Sequence, residues 1–476
     1  MNRPITRLYG FVILLFALLI AFTSRWTVFE AASLRSNTLN HRTLLNDQRV
    51  PRGAILAADG SVLARSTRGA GGVYTRRYPT GSLFAHAVGY SYTNLGRTAL
   101  EAFRTDPLTG RGGGQVTSLL DQLTGKKPVG QDVVTTLDAK AQRAAVSALA
   151  GRRGAVVALD PRSGAIKVLV ANPSYDPNAV PRTFSRLQAD PTSPLFDRVT
   201  QAGYPPGSTF KFVTAIAAID SGLFTPSSII NGDSPKTISG VPLQNDFNQS
   251  LGDIDLTTAL TKSVNTVWAQ VAVAVGKQTL GRYMDRLGFN AAPPIDLPAS
   301  ERRASGEFKG LKLLAPTSPL VDVGRMGIGQ DKLNVTPLQM AMVAAAVANH
   351  GRLMTPHLTG RVVDRDGRTT QTVAPQDFSD VMRRSTADAI TGMMAQVVQE
   401  GTGTAAALSG IQVAGKTGTA EIVPGQSINQ VWFIAFAPTT NPTVAIAATI
   451  ERSSGQGGTV AAPVAKQVLQ SLLGGG

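Results

Sequence analysis

Between residues 9 and 22 the chain carries no charge, and Gly10-Phe11-Val12-Ile13-Leu14-Leu15-Phe16-Ala17-Leu18-Leu19-Ile20-Ala21 is apolar throughout. Arg3 and Arg7 precede this run. Continued through Thr23 and Ser24 to Trp26 and Val28, it approaches the ~20 residues that cross a bilayer as a helix. Arginines ahead of it favour a cytoplasmic start, with everything later outside the cell. A cleaved signal peptide begins in the same way. Ala31-Ala32-Ser33 is a poor small-residue cleavage signal, however, which favours a retained single-pass anchor over residues 9–28 behind a tail of residues 1–8. Either way the bulk of the chain is exported and has to fold outside the cell.

At 476 residues the chain is too long for one average domain, so two or three are expected, and 43% hydrophobic content is ample for large cores. There is no Cys, which removes disulfides, thiol nucleophiles and thiolate metal sites. The four histidines, His41, His86, His350 and His357, are scattered without the spacing of a zinc hydrolase, so no metal site is expected. Gly-x-Ser-x-Gly is absent, which argues against an α/β-hydrolase with a histidine base. Whatever activates a serine here is something other than imidazole, and lysine is the available candidate. A net charge of +15 invites a nucleic-acid reading. Yet the basic residues are dispersed in ones and twos, as in Arg152-Arg153, Arg302-Arg303 and Arg383-Arg384, without interleaved aromatics, so no nucleic acid is expected. For an exported protein, attraction to anionic lipid and wall polymer accounts for the charge better.

After the anchor, residues 31–50 are polar and helix-compatible. Pro51-Arg52-Gly53 then breaks the pattern before Ala54-Ile55-Leu56 and Ser61-Val62-Leu63, two short strands around an Asp59-Gly60 turn. Glycine- and turn-rich stretches over residues 69–73, 79–82 and 110–114 keep the region loop-rich, so it is not expected to hold the main core. From Val133 the character changes. Val133-Val134-Thr135-Thr136-Leu137 reads as a strand, Asp138 as the N-cap of a helix over residues 139–149, and residues 154–160 and 165–170 as a β-hairpin about Pro161-Arg162-Ser163-Gly164. Near the end, residues 431–437 and 443–450 read as strands and residues 461–473 as a helix. Strands at both ends of a segment with helices between them predict one antiparallel sheet in an α+β domain.

Within that segment three strings occur in order: Ser208-Thr209-Phe210-Lys211, Ser263-Val264-Asn265 and Lys416-Thr417-Gly418-Thr419. Ser-x-x-Lys and Lys-Thr-Gly each occur once, whereas Ser-x-Asn recurs at Ser427-Ile428-Asn429, beside Pro424 and Gly425, where a turn is expected. Ser208 comes after Pro205-Pro206-Gly207 at the start of a helix carrying Phe212, Val213, Ile216 and Ile219. A helix N-terminus favours negative charge on the hydroxyl, although a serine there also serves as a plain N-cap. Lys211 lies on the same helix face, within reach of that hydroxyl. As a general base it needs a pKa well below ~10.4, which burial and a second cation, Lys416, would supply. Gly415 and Gly418 on the Lys416 strand admit close approach by a peptide that adds as a further strand.

The order and spacing of the three strings resemble the penicillin-binding transpeptidases and the serine β-lactamases. The resemblance covers about residues 151–473. Familial strings accompany it at Tyr175-Asp176-Pro177-Asn178, Gly327-Ile328-Gly329-Gln330, Thr336-Pro337-Leu338-Gln339-Met340-Ala341 and Gly401-Thr402-Gly403-Thr404. Arg52-Gly53-x-Ile55 with Gly60 is similar to the opening motif of the non-catalytic pedestal in class B penicillin-binding proteins. The chain departs from that motif at Ala57-Ala58, where the family carries an acidic-basic pair, so the local salt bridge of the pedestal is not expected.

The resemblance implies a pedestal over residues 29–150 and a penicillin-binding transpeptidase domain over residues 151–476, with helices flanking its sheet. It implies Ser208 as nucleophile, Lys211 as base, Ser263 as proton relay to the leaving amine, and Asn265 as a binder of substrate peptide groups. Lys416, Thr417 and Thr419 would hold the terminal carboxylate around Gly418, and the N–H groups of Ser208 and Thr419 would form the oxyanion hole. Trp432, Phe433 and Tyr204 are cleft or core, and Lys262 is expected in solvent. The implied activity is peptidoglycan cross-linking through a serine acyl-enzyme on D-Ala-D-Ala stem peptides, blocked by β-lactams, with no metal or cofactor. The implied partners are the cytoplasmic membrane, a polytopic glycan polymerase, and divisome or elongation proteins. A D,D-carboxypeptidase, a β-lactamase and a non-catalytic β-lactam receptor or division scaffold share the same strings.

Overall fold

The computed structural model describes residues 3–26, 30, 49–69, 72–111, 129–422 and 426–474. The polar stretch expected over residues 31–50 lies almost wholly outside them, as do Pro424 and Gly425. The first element is the helix Arg3–Ser24, which is long and apolar enough to cross a membrane. It begins earlier than the apolar run alone suggests, because Pro4 is tolerated in a first helical turn and nothing after it breaks the helix.

A five-stranded sheet organises the larger part of the chain. Its order is Ala414–Glu421, Asn429–Ala437, Val444–Ser453, Gly154–Leu159 and Ile166–Asn172, with every neighbouring pair antiparallel. Strands from both ends of the segment therefore share one sheet, as the pattern of apolar runs predicts. The inner strands are buried on both faces, and alternate side chains enter different cores. Trp432, Ile434 and Phe436 join Ala155 and Val157 on one side. Val431, Phe433 and Ala435 join Val156 and Val168 on the other. The first side is covered by the helix Pro337–Ala348, whose 12 residues are all buried, apolar but for Gln339, which donates to Leu287 O at 2.8 Å. The helices Ala139–Leu149 and Gly457–Leu473 cover the second side. Asp138 caps the former by accepting a 2.8 Å bond from the Ala141 amide.

A six-stranded sheet gathers the early strands, though not from early residues alone. Its order is Thr369–Thr372, Thr359–Val363, Asp132–Thr135, Ile55–Leu56, Val62–Arg68 and Tyr74–Arg77. A late hairpin thus extends the early strands, while Ala139–Leu149 packs on the central sheet, so the two parts interlock around residue 150. Ile55, Leu63, Tyr78 and Phe84 belong to the same apolar cluster as the Trp432 side of the central sheet.

The missing acidic-basic pair has a substitute. Ala57 is buried, and the ion pairing is done by Glu101, which accepts from Arg52 Nε at 2.6 Å and Arg76 Nε at 2.5 Å with no exposure of its own. Burial alone would raise the Glu101 carboxyl; Arg76 and Arg52 outweigh it and hold it below the usual carboxylate range. Removing one partner from a buried ion cluster leaves uncompensated charge. Glu101→Gln is therefore expected to destabilise the protein by about 3–5 kcal/mol, read as a drop in the thermal unfolding midpoint.

Candidate active site

The Ser208 turn is built by close backbone packing. Gly207 has φ +53° and donates its N–H to Gly329 O at 3.0 Å. Gly329 has φ +77°, and a Cβ there would lie 1.9 Å from Gly207 O, so only glycine fits. Trp432 Nε1 holds the approach by donating to Pro205 O at 2.9 Å. Ser208 is half-buried in the 3₁₀ turn Gly207–Phe210, which runs straight into the helix Lys211–Asp220. Residues i and i+3 of a 3₁₀ turn eclipse one another, which puts Ser208 and Lys211 on one side.

Lys211 is fully buried, and its Nζ lies in hydrogen-bond reach of Ser263 O at 2.5 Å, Asn265 Oδ1 at 2.6 Å and Ser263 Oγ at 3.2 Å. The Ser208 hydroxyl, expected as its partner, makes no hydrogen bond among the described residues. The physical reason is local: Ser263 has φ +61°, a conformation unusual outside glycine, in the short link between the helices Leu256–Thr261 and Asn265–Arg286. Such strain, ~1–3 kcal/mol, is held only where surroundings over-determine it. Here both the carbonyl and the hydroxyl of Ser263 meet Lys211.

Lys416 approaches Ser263 from the sheet. It is fully buried on the edge strand Ala414–Glu421, and its Nζ donates to Ser263 Oγ at 2.9 Å and to Thr417 O at 3.1 Å. One hydroxyl thus receives bonds from two lysines. A Cβ at Gly418 would lie 2.7 Å from Pro206 O, and one at Gly207 would lie 2.8 Å from Thr419 O. The absence of side chains at both positions lets the motif strand lie against the Ser208 turn. Thr417 Oγ1 is 2.6 Å from Thr402 Oγ1, and Thr419 Oγ1 accepts from the Gly457 amide at 3.1 Å. Because Thr419 accepts there, its own hydroxyl proton is left to donate elsewhere.

Burial pushes Lys211 down to about 7, against the opposing charge of Asp246. Burial, and after it the charge of Lys211, holds Lys416 well below its ordinary value, again with Asp246 opposing. Two amines on one hydroxyl do not both hold a proton cheaply, so the cluster offers a neutral amine beside a charged one.

All three strings therefore meet: Lys211, Ser263, Asn265 and Lys416 share one hydrogen-bonded cluster, with Ser208, Thr417, Gly418 and Thr419 at its border. The second Ser-x-Asn does not join it: Ser427 and Ile428 lie in the bend that links the strands Ala414–Glu421 and Asn429–Ala437, as expected of a turn, and Asn429 opens the second strand. Trp432 and Phe433 are core, Tyr204 stacks edge-on to Trp432 at 6.0 Å, and Lys262 is exposed. What sequence reasoning missed is the segment of Asn245 and Asp246. Asn265 Nδ2 donates to Gln244 O at 3.0 Å and to Asp246 Oδ1 at 3.3 Å, and nothing in this polar loop announces that role.

Residues 154–470 match the penicillin binding protein transpeptidase domain, and residues 52–133 match the penicillin binding protein A dimerisation domain. The peptidoglycan D,D-transpeptidase PbpA of Mycolicibacterium smegmatis is 33% identical, over 99% of this chain and 99% of its own. The peptidoglycan D,D-transpeptidase MrdA of Escherichia coli K12 is 30% identical, over 84% of this chain and 71% of its own. Among solved structures, the ceftriaxone acyl-enzyme of penicillin-binding protein A from M. tuberculosis superimposes with a TM-score of 0.81 at 30% identity, covering 90% of this chain and 100% of that one. Fold, ordered strings and both matched domains agree: the chain belongs to the class B penicillin-binding proteins.

Proposed function

We infer that this chain is a peptidoglycan D,D-transpeptidase, a serine acyltransferase that β-lactams acylate. The observation that carries the reading is the Lys211–Ser263–Lys416 cluster beside an unpartnered Ser208 hydroxyl. Ser208 Oγ attacks the carbonyl between two D-alanines, and its proton passes to neutral Lys211. Ser263, bonded to both lysines, returns a proton to the leaving amine as the C–N bond breaks and D-alanine departs. An amine from a neighbouring stem peptide then attacks the acyl-enzyme, its proton passing through the same base to Ser208 Oγ as the acyl–oxygen bond breaks. Lys416, Thr417 and Thr419 hold the terminal carboxylate, and the amides of Ser208 and Thr419 bind the oxyanion, each such donor contributing about 10²–10³ in rate.

The apolar helix Arg3–Ser24 anchors the chain once in the cytoplasmic membrane, with the pedestal of residues 29–150 and the transpeptidase domain of residues 151–476 outside. A polytopic glycan polymerase and divisome or elongation proteins are its proposed partners, met through the anchor and pedestal. Incubation with a stem-peptide donor and an amine acceptor tests the reaction. Mass analysis is expected to find the cross-linked product with D-alanine released; hydrolysed donor alone would make the protein a carboxypeptidase.

A further inference from the structure

Beside the lysine cluster, the segment 244–248 forms a lip that Asn245 anchors. Asn245 is buried and donates from Nδ2 to Gly232 O at 3.0 Å and Gln249 O at 2.9 Å. Its Oδ1 accepts from the Thr266 amide at 2.9 Å, which staples the lip to the first turn of the helix that presents Asn265. The next two residues are presented outward. Asp246 is exposed, and its side chain makes one hydrogen bond among the described residues, to Asn265 Nδ2, and no ion pair. Phe247 is 80% exposed at φ +56°, and Asn248 comes next at φ +53°. A bulky aromatic held in left-handed backbone with its ring in water gains nothing for the fold, and such strain gathers at ligand-contacting sites.

Both hydrogens of the Asn265 amide are occupied, by Gln244 O at 3.0 Å and Asp246 Oδ1 at 3.3 Å, while Lys211 sits at the other end of the same amide. A substrate carbonyl reaches Asn265 most easily by displacing the longer bond to the exposed carboxylate. The displaced Asp246 then has lost its one side-chain hydrogen bond beside the bound acyl donor, with Phe247 next to it. We propose that Asp246 and Phe247 form a specificity lip that selects acyl donors carrying a cationic group, an ammonium near the scissile unit, with an apolar stem against the ring. Asp246 already faces the two buried lysines, and a further cation on the donor draws it off Asn265 more readily than a neutral group does. This inference rests on the acyl-transfer reading above.

The test compares two penicillins with one nucleus, one bearing a neutral benzyl side chain and one an α-amino benzyl side chain, acylating the full-length protein in detergent. Wild type is expected to favour the amino compound, and Asp246→Asn to lower the amino-to-neutral ratio of acylation rate constants about fivefold, the scale of a partly solvated ion pair. Asp246→Glu keeps the ratio near wild type. In the wild type alone, raised salt shrinks the preference, because an exposed pair is screened. A ratio unchanged by Asp246→Asn, or a wild-type preference absent or insensitive to salt, overturns the lip. Failure of both penicillins to acylate the wild type would instead overturn the acyl-transfer reading itself.

Discussion

A Ser208→Ala protein is expected to take no covalent label from a fluorescent penicillin under conditions in which the wild type is labelled fully. The expectation is sharp because the described residues offer no second hydroxyl in an equivalent position. Ser263, the nearest rival, is 5% exposed and already receives bonds from both Lys211 and Lys416. Ser208 Oγ, in contrast, has no partner among the described residues, and Ser208 lies near the start of a helix in a turn that glycines at 207 and 329 allow. For the same reason the substitution removes no internal hydrogen bond. The unfolding midpoint should stay within the small range of a surface change, separating loss of chemistry from loss of fold. Residual labelling in the variant would move the nucleophile elsewhere.

The second large effect is at Lys211. Lys211→Ala is expected to slow acylation by about 10²–10⁴-fold, the usual contribution of a positioned general base. Raising the pH should not restore it, because what is missing is the base and not its deprotonation. The variant also leaves Ser263 O and Asn265 Oδ1 without their donor in a buried place, so some loss of stability accompanies it. Acylation therefore has to be measured well below the variant's unfolding midpoint. A near-normal rate would remove Lys211 from the reaction.

Much of this architecture is legible in the amino-acid order because the relevant signals are periodic or rare. Residues 154–159 and 431–437 are apolar without interruption, as strands covered on both faces must be, and Asp138 announces its helix by standing just before it. Ser-x-x-Lys and Lys-Thr-Gly draw notice because lysine in an apolar context is expensive unless it has work to do. What stays hidden depends on long-range geometry. The partnership of Arg52 and Arg76 with Glu101 joins residues far apart in the chain, and nothing local marks Glu101 as their shared counter-ion. The transfer of the hairpin around residues 359–372 to the pedestal sheet is equally invisible to local pattern. Lys211 is on the Ser208 side of the turn, yet its hydrogen bonds go to Asn265 and to Ser263, whose left-handed backbone no propensity predicts. Asp246 and Phe247 carry no local signal in the sequence; it is the bond from the Thr266 amide to Asn245 that pins them beside Asn265.

In the reaction we propose, an uncharged lysine generates the serine nucleophile, and the pH dependence of the wild-type rate is the measurement closest to that step. Burial places the Lys211 pKa at about 7, so below that pH the amine is protonated and cannot take the Ser208 proton, and above it the neutral form dominates. The second-order rate constant for a neutral penicillin should rise with pH through a midpoint near 7 and then level off. A rate that stays flat across that range, or falls as the pH rises through it, would rule out Lys211 as the neutral base.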